Sequence, residues 1–283
     1  MKVRILNLGA GVQSTAIYLM MMEGEIHPAD VAVFADTQDE PPHVYEHLRW
    51  MQSLDGPPIE IVTAGKLSES LENGTDAAGN ALADESQHFI AIPAYVKNQD
   101  GSRGMVSRQC TADFKVRPIE AFIRERYGDG KGKPIPRDVE ITQIFGLSYD
   151  EPKRVIRVQQ RFSAKPRNWR CEFPLWDLQA TRGECVKYLA GRVPHEVGRS
   201  ACVYCPFKSD AEWRWLRDNC PDGWAKAVEI DEICRRGKMR RGERYLHGSL
   251  VPLAEADLRE RDERTGQKSL PMFIDECEGM CGN

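Results

Sequence analysis

The chain has 283 residues, 41% of them hydrophobic and 29% charged, with a formal net charge of −4. That length suits one large α/β domain or a domain with a smaller appendage, and the composition excludes wholesale disorder. No apolar run reaches the length of a membrane span, no cleavable leader precedes the first strand, and the charge balance advertises no global affinity for nucleic acid, so the sequence reads as cytoplasmic.

The chain opens with an apolar, branched run from Val3 to Leu8, which reads as a buried strand. Gly9-Ala10-Gly11 and Ser14-Thr15 follow, and Ala16, Ile17, Leu19 and Met20 begin a helix. Strand, glycine turn and helix aim backbone N–H groups and a helix N-terminus at phosphate oxygens. The loop fits neither the Walker pattern, which needs Lys before Ser14, nor the dinucleotide fingerprint, which needs a third Gly or Ala there. A second strand is expected at Val31–Phe34, a helix from about His43 to Leu54 with Pro42 at its start, and a third strand at Ile59–Val62. Three βα units with short turns indicate a parallel sheet wound with helices.

Gly74 to Ser107 breaks that rhythm and reads as a mobile flap or hairpin insertion, with a turn at Asn98-Gln99-Asp100-Gly101 between two short strands. Thr111 to Tyr127 is expected to be a helix carrying Phe114, Ile119, Phe122 and Ile123 on one face. Gly128–Pro136 is a loop, and Val139–Leu147 a further strand. From about Trp169 the pattern turns helical. The expected organisation is therefore a nucleotide-binding core over 1–170, with 74–107 inserted, and a helical region over 171–283 that holds a Cys-x-x-Cys and a cysteine-bearing tail.

Nine cysteines in a reducing compartment argue against a disulfide framework. Cys202 with Cys205 and Cys277 with Cys281 have the spacing of metal or redox pairs, and these four thiolates would close a structural zinc site. Cys171, Cys185, Cys220 and Cys234 have no such spacing and read as core or surface thiols.

Open parallel sheets bind ligands beyond the carboxyl ends of their strands. Four polar clusters fall there or just past a loop: Gly9–Thr15, Asp36–Glu40, Arg108–Lys115 and Ser148–Arg154. Asp36 is suited to a ribose hydroxyl or a metal. Asp39 and Glu40 also read as acids at a helix start, the favoured reading for Glu40. Arg108, Lys115 and Arg154 suit an anionic substrate. Two basic stretches, Lys153 to Arg170 and Arg235 to Arg241, read equally as solvated helix faces or as contacts to a phosphate-bearing partner.

Taken in order, G-A-G-V-Q-S-T, F-A-D-T-Q-D-E, R-Q-C-T-x-x-x-K-V-x-P, G-L-S-x-D-E-x-x-R and C-V-Y-C-P-F resemble the phosphoadenosine phosphosulfate reductase family, within the PP-loop adenine-nucleotide α-hydrolases. The resemblance spans roughly Lys2 to Phe207 and implies a Rossmann-like open parallel sheet. It implies that Gly9, Ala10, Gly11, Gln13, Ser14, Thr15, Asp36 and Gly146 bind ATP with Mg²⁺, or another adenine nucleotide such as phosphoadenosine phosphosulfate. Cys110, Arg108, Lys115, Asp150 and Arg154 would form the catalytic set. Cys110, Cys202 and Cys205 match three ligands of the iron–sulfur cluster that some members carry, with Cys281 a candidate fourth. The chain departs from the PP-loop S-G-G-x-D-S, since Gly9 replaces the first Ser and Gln13 the Asp.

Such three-thiolate clusters resemble those of PP-loop sulfurtransferases, which implies tRNA or DNA as acceptor and a sulfur donor protein as partner. Two other readings stay open: a sulfonucleotide reductase that releases sulfite, which the tail D-E-C-E-G-M-C-G-N loosely resembles, and a nucleotide- and zinc-binding module without turnover.

Overall fold

The computed structural model describes residues 1–75, 77, 92–98, 100–106, 109–130, 133–236 and 243–259. Five parallel strands form the main sheet: β1 (Lys2–Leu8), β2 (Val31–Asp36), β3 (Ile59–Thr63), β6 (Glu140–Phe145) and β7 (Trp169–Glu172), in the order β3-β2-β1-β6-β7. The central register pairs Ile5 with Val31 on one side and with Gln143 on the other. Such strands are covered on both faces, which is why they read as unbroken apolar runs rather than as alternating ones.

Alternate residues of each strand feed two cores. Leu6, Leu8, Ala32, Phe34 and Ile144 pack against α1 (Val12–Met22), α2 (Pro42–Gln52) and α7 (Arg182–Leu189). Val3, Ile5, Val31, Val33 and Ile141 pack against α4 (Arg117–Tyr127) and α5 (Pro152–Ser163) on the opposite face. The result is an α/β, Rossmann-like sheet with helices on both sides.

The pattern read as helical from Trp169 begins instead with β7, which pairs Trp169 with Ile141 and Cys171 with Gln143. A boundary at residue 170 therefore passes through the sheet's last strand. The misreading has a physical cause: β7 is short, and as an edge strand it carries Arg170 and Glu172 rather than a full apolar run. The helical remainder comprises α6 (Pro174–Asp177), α7, α8 (Asp210–Asn219) and α9 (Pro221–Arg236).

The expected turn near residue 100 joins β4 (Ala94–Lys97) and β5 (Arg103–Val106), which pair antiparallel with Ala94 opposite Val106. Asp100 Oδ1 accepts from the Ser102 amide at 2.9 Å, and Gly101 takes a left-handed φ of 79°. β8 (Arg244–Tyr245) completes this small sheet beside β4. The flap reading of 76 and 78–91 lies outside the described residues.

The helix expected from Thr111 carries a π-helical turn over Ala112–Val116 before α4. A third core gathers Phe114 from that turn and Leu67 from α3 (Leu67–Asn73) with Tyr204, Trp213, Leu216, Ile230 and Leu246. It joins the Cys-x-x-Cys segment to the edge of the main sheet. Cys220 and Cys234 are buried in it, and Cys185 in the α1 core, as the thiols without metal-like spacing suggested.

Candidate nucleotide site and cysteine cavity

The strand order places a topological switch point between β1 and β6, because the chain leaves β1 toward β2 and returns on the other side. In such sheets the crevice beyond those two carboxyl ends is where ligands bind. The Gly9–Thr15 loop rises from one strand and Gly146–Glu151 from the other. Gly9 N–H and Gly11 N–H converge on a single oxygen, the Ser14 hydroxyl, at 3.3 Å each. Ala10 holds a left-handed φ of 57°, which bends the loop back over the start of α1.

Gln13 ties the two loops together. Its Nε2 donates to Glu151 Oε2 at 2.8 Å and to Ser148 Oγ at 3.3 Å. Glu151 also accepts from the Ser148 amide and hydroxyl, both at 3.1 Å, and pairs with Arg154. The Gln13 Oε1 atom is buried and finds no partner among the described residues, an orphan acceptor in the crevice. Asp150 Oδ1 accepts from the Arg182 amide at 3.2 Å and so anchors the start of α7. Thr15 turns away from the loop toward α2: its hydroxyl lies 2.8 Å from His47 Nε2, and His47 Nδ1 lies 2.8 Å from His195 Nε2. Burial pulls the His47 pKa down to about 4, and the neighbouring His195 and His43 rings push in the same direction.

At the end of β2, Asp36 Oδ1 accepts from Gln38 N–H at 2.7 Å and from the Tyr45 hydroxyl at 2.9 Å. Burial, and then the Asp36 charge, raise the Tyr45 pKa and keep that phenol a donor. Asp39 is buried and accepts from Ser68 N–H, Ser68 Oγ and Tyr204 OH at 2.8, 2.9 and 2.8 Å. Glu40 corrects its reading as an acid at a helix start. Its carboxylate turns inward to meet Lys115 Nζ at 3.3 Å, with side-chain exposures of 0% and 6% for the two partners. A buried lone carboxylate is far costlier than a paired one, so the Lys115 side chain, 75 residues away, decides where Glu40 points.

Lys115 also lines a small cavity of about 30 Å³ with Thr37, Cys110, Cys202 and Cys205. Three of the four cysteines expected as cluster ligands thus face one space, drawn from the π-turn helix and the Cys-x-x-Cys segment. Cys202 Sγ lies 3.1 Å from Thr37 Oγ1, and desolvation followed by the Glu40 charge pushes its thiol well above the ordinary range. Among the described residues, no group of three or more His, Cys, Asp or Glu side chains is arranged to hold a single metal ion. A cluster is less demanding in this respect, because each thiolate bonds a different iron. Its three sulfurs are soft donors of the kind that clusters take. Cys277, Cys281 and Arg108 lie outside the described residues.

Tyr45, His47, His195 and Ser200, whose hydroxyl lies 3.5 Å from Glu40 Oε2, fall outside the motifs read from the sequence. His47, His195 and Ser200 meet partners 32 to 160 residues away, and Tyr45 meets Asp36 across nine. The basic stretch along α5 divides: Lys165 pairs with Glu120 at 2.6 Å and lies over the Trp169 ring, and Arg161 packs on Phe162, whereas Lys153, Arg157 and Arg167 are exposed.

Comparison with known proteins found no matching family model, no matching curated protein and no matching solved structure. No helix among the described residues is long and apolar enough to cross a membrane.

Proposed function

We propose that this chain is an adenine-nucleotide-dependent enzyme of the phosphoadenosine phosphosulfate reductase type that performs sulfur transfer by adenylylating an acceptor. One observation carries the reading: the switch-point loops are laced together by Gln13 and Glu151, and a three-cysteine cavity opens at the end of the neighbouring strand β2. The amides of Gly9 and Gly11 and the start of α1 would cradle phosphate oxygens, and Asp36 would face ribose or adenine. An acceptor oxygen or sulfur attacks the α-phosphorus of ATP, the new bond to phosphorus forms, and the bond to the bridging oxygen breaks. Pyrophosphate leaves with the electron pair. Positive side chains, with Mg²⁺ as the nucleotide's counter-ion, would stabilise the charge gathering on the phosphoryl oxygens.

Cys110, Cys202 and Cys205 would hold an iron–sulfur cluster, which when bound supplies an iron open to external sulfur. Desolvation keeps the Cys202 thiol protonated until a metal replaces the proton, so loading should release a proton there. The fourth ligand falls to Cys281 in this reading, and the acceptor class is tRNA or DNA.

The test is anaerobic purification with metal analysis, an absorbance spectrum and product analysis. A brown protein that loses its colour in Cys110→Ala, Cys202→Ala and Cys205→Ala, and that forms pyrophosphate from ATP, is the expected result. Sulfite release from a sulfonucleotide would make the chain a reductase instead. A colourless protein with stoichiometric zinc retained by Cys110→Ala, and with no turnover, would replace the reading by a nucleotide- and zinc-binding module.

A further inference from the structure

Beside the cysteine cavity lies a larger cleft of about 450 Å³ whose lining shares no residue with that cavity or with the phosphate loop. The two are walled by successive parts of one segment: residues 196–199 and Lys208 face the cleft, and residues 201, 202 and 204–207 face the cavity. Trp215, on the first helix after that segment, is 45% exposed at the cleft, an unusual position for so large an apolar ring. The His43 ring meets it edge-on, at 5.0 Å between centroids and 90° between planes, and so fixes the indole's orientation. Gly198 permits this packing, because a Cβ there would come within 2.6 Å of His43 Nε2.

Neither His43 ring nitrogen has a hydrogen-bond partner of good geometry; the Arg199 backbone contact favours its protonated form most, and the Glu46 charge adds to it. Burial outweighs that contact and lowers the His43 pKa, so the ring packs as a neutral aromatic.

The charges around the indole are sorted. Glu212 is drawn to Arg199 at 3.4 Å and to the Ser209 amide at 2.7 Å. Lys208 and Arg182 also line the cleft, with Glu196 as the other acid. Lys208, whose Nζ lies 5.9 Å from the Trp213 ring centroid, and Arg182 line the same concave cleft as the half-exposed Trp215 indole, and cations beside an exposed ring are the combination that takes a flat base on its face and a phosphate at its edge.

We propose that this cleft is a second nucleotide site, which stacks an aromatic base on Trp215 and receives its phosphate at Lys208 and Arg182. It goes beyond the switch-point reading, and its failure would leave that reading standing. The same chemistry arrives either as a free mononucleotide or as one unit of a single-stranded nucleic acid.

The experiment measures fluorescence anisotropy of a labelled single strand of mixed sequence, as DNA and as RNA, with cytidine, uridine and guanosine monophosphates as competitors. Trp215→Ala should weaken strand binding at least tenfold, Trp215→Phe should restore most of it, and Lys208→Gln should flatten its salt dependence. Affinity for ATP at the switch point should be unchanged in all three variants. Competition by monophosphates that vanishes in Trp215→Ala assigns the site to free nucleotides, and strand binding without such competition assigns it to nucleic acid. Absence of both, or equal affinities for wild type and Trp215→Ala with an unchanged circular dichroism spectrum, would overturn the proposal.

Discussion

Gln13 and Glu151, 138 residues apart, meet through a 2.8 Å hydrogen bond from the Gln13 amide to the Glu151 carboxylate. The bond closes the switch point between β1 and β6 and explains why an amide stands at a position where the resembling PP-loop motif carries Asp. An acid at residue 13 would put two carboxylates face to face in a buried site. Gln13→Asp should therefore destabilise the fold by about 2 kcal/mol in urea unfolding. Adding Glu151→Gln should recover about half of that loss through restored amide–acid pairing. Additive losses in the double variant would show that the two side chains do not communicate.

A side chain at Gly11 should obstruct phosphate at the start of α1. Gly11→Val is expected to weaken ATP binding at least tenfold, about 1.4 kcal/mol, in titration calorimetry. Unchanged affinity in a folded variant would exclude this loop as the phosphate cradle.

Buried His47, bonded to Thr15 on one side and to the exposed His195 on the other, makes stability depend on pH. The His47 pKa is held at about 4 in the folded protein, against an ordinary value of 6.5. The unfolded chain therefore takes up a proton that the folded one refuses. This contribution, about 3 kcal/mol, is complete above pH 6.5 and is lost as the pH falls from 6.5 to about 4. Urea midpoints measured across that window should fall more steeply for the wild type than for His47→Gln. Parallel curves for the two proteins would remove His47 as the cause.

Asp39 ties the end of β2 to the cysteine segment through Tyr204 and also holds Ser68 at α3. Asp39→Ala leaves those donors buried without their acceptor and should cost about 3 kcal/mol. Loosening that segment should also raise the rate at which a thiol reagent modifies Cys202 and Cys205, scored by mass spectrometry of the native protein. A destabilised variant whose cysteines react at the wild-type rate would confine Asp39 to a role away from the cavity.

The sequence by itself determined the parallel sheet's first three strands, the β6 strand, the glycine loop and the turn of the β4–β5 hairpin. These are local: a run of buried branched residues, a glycine pair or an Asn-to-Gly turn biases φ and ψ whatever lies elsewhere. The family resemblance also grouped Cys110, Cys202 and Cys205, which line one cavity.

Tertiary structure alone decided that β7 joins the sheet, that the helix before α4 opens into a π-turn, and that Glu40 turns inward to Lys115. It also paired Thr15 with His47 and His195, and Asp39 with Tyr204. A buried polar group is satisfied by whichever partner the packed fold delivers. For Asp39 that partner stands 165 residues away, and for Glu40 it stands 75 away. Periodicity reports which face of an element is buried. Which donor is waiting on the other side is set only when the layers close and water is gone.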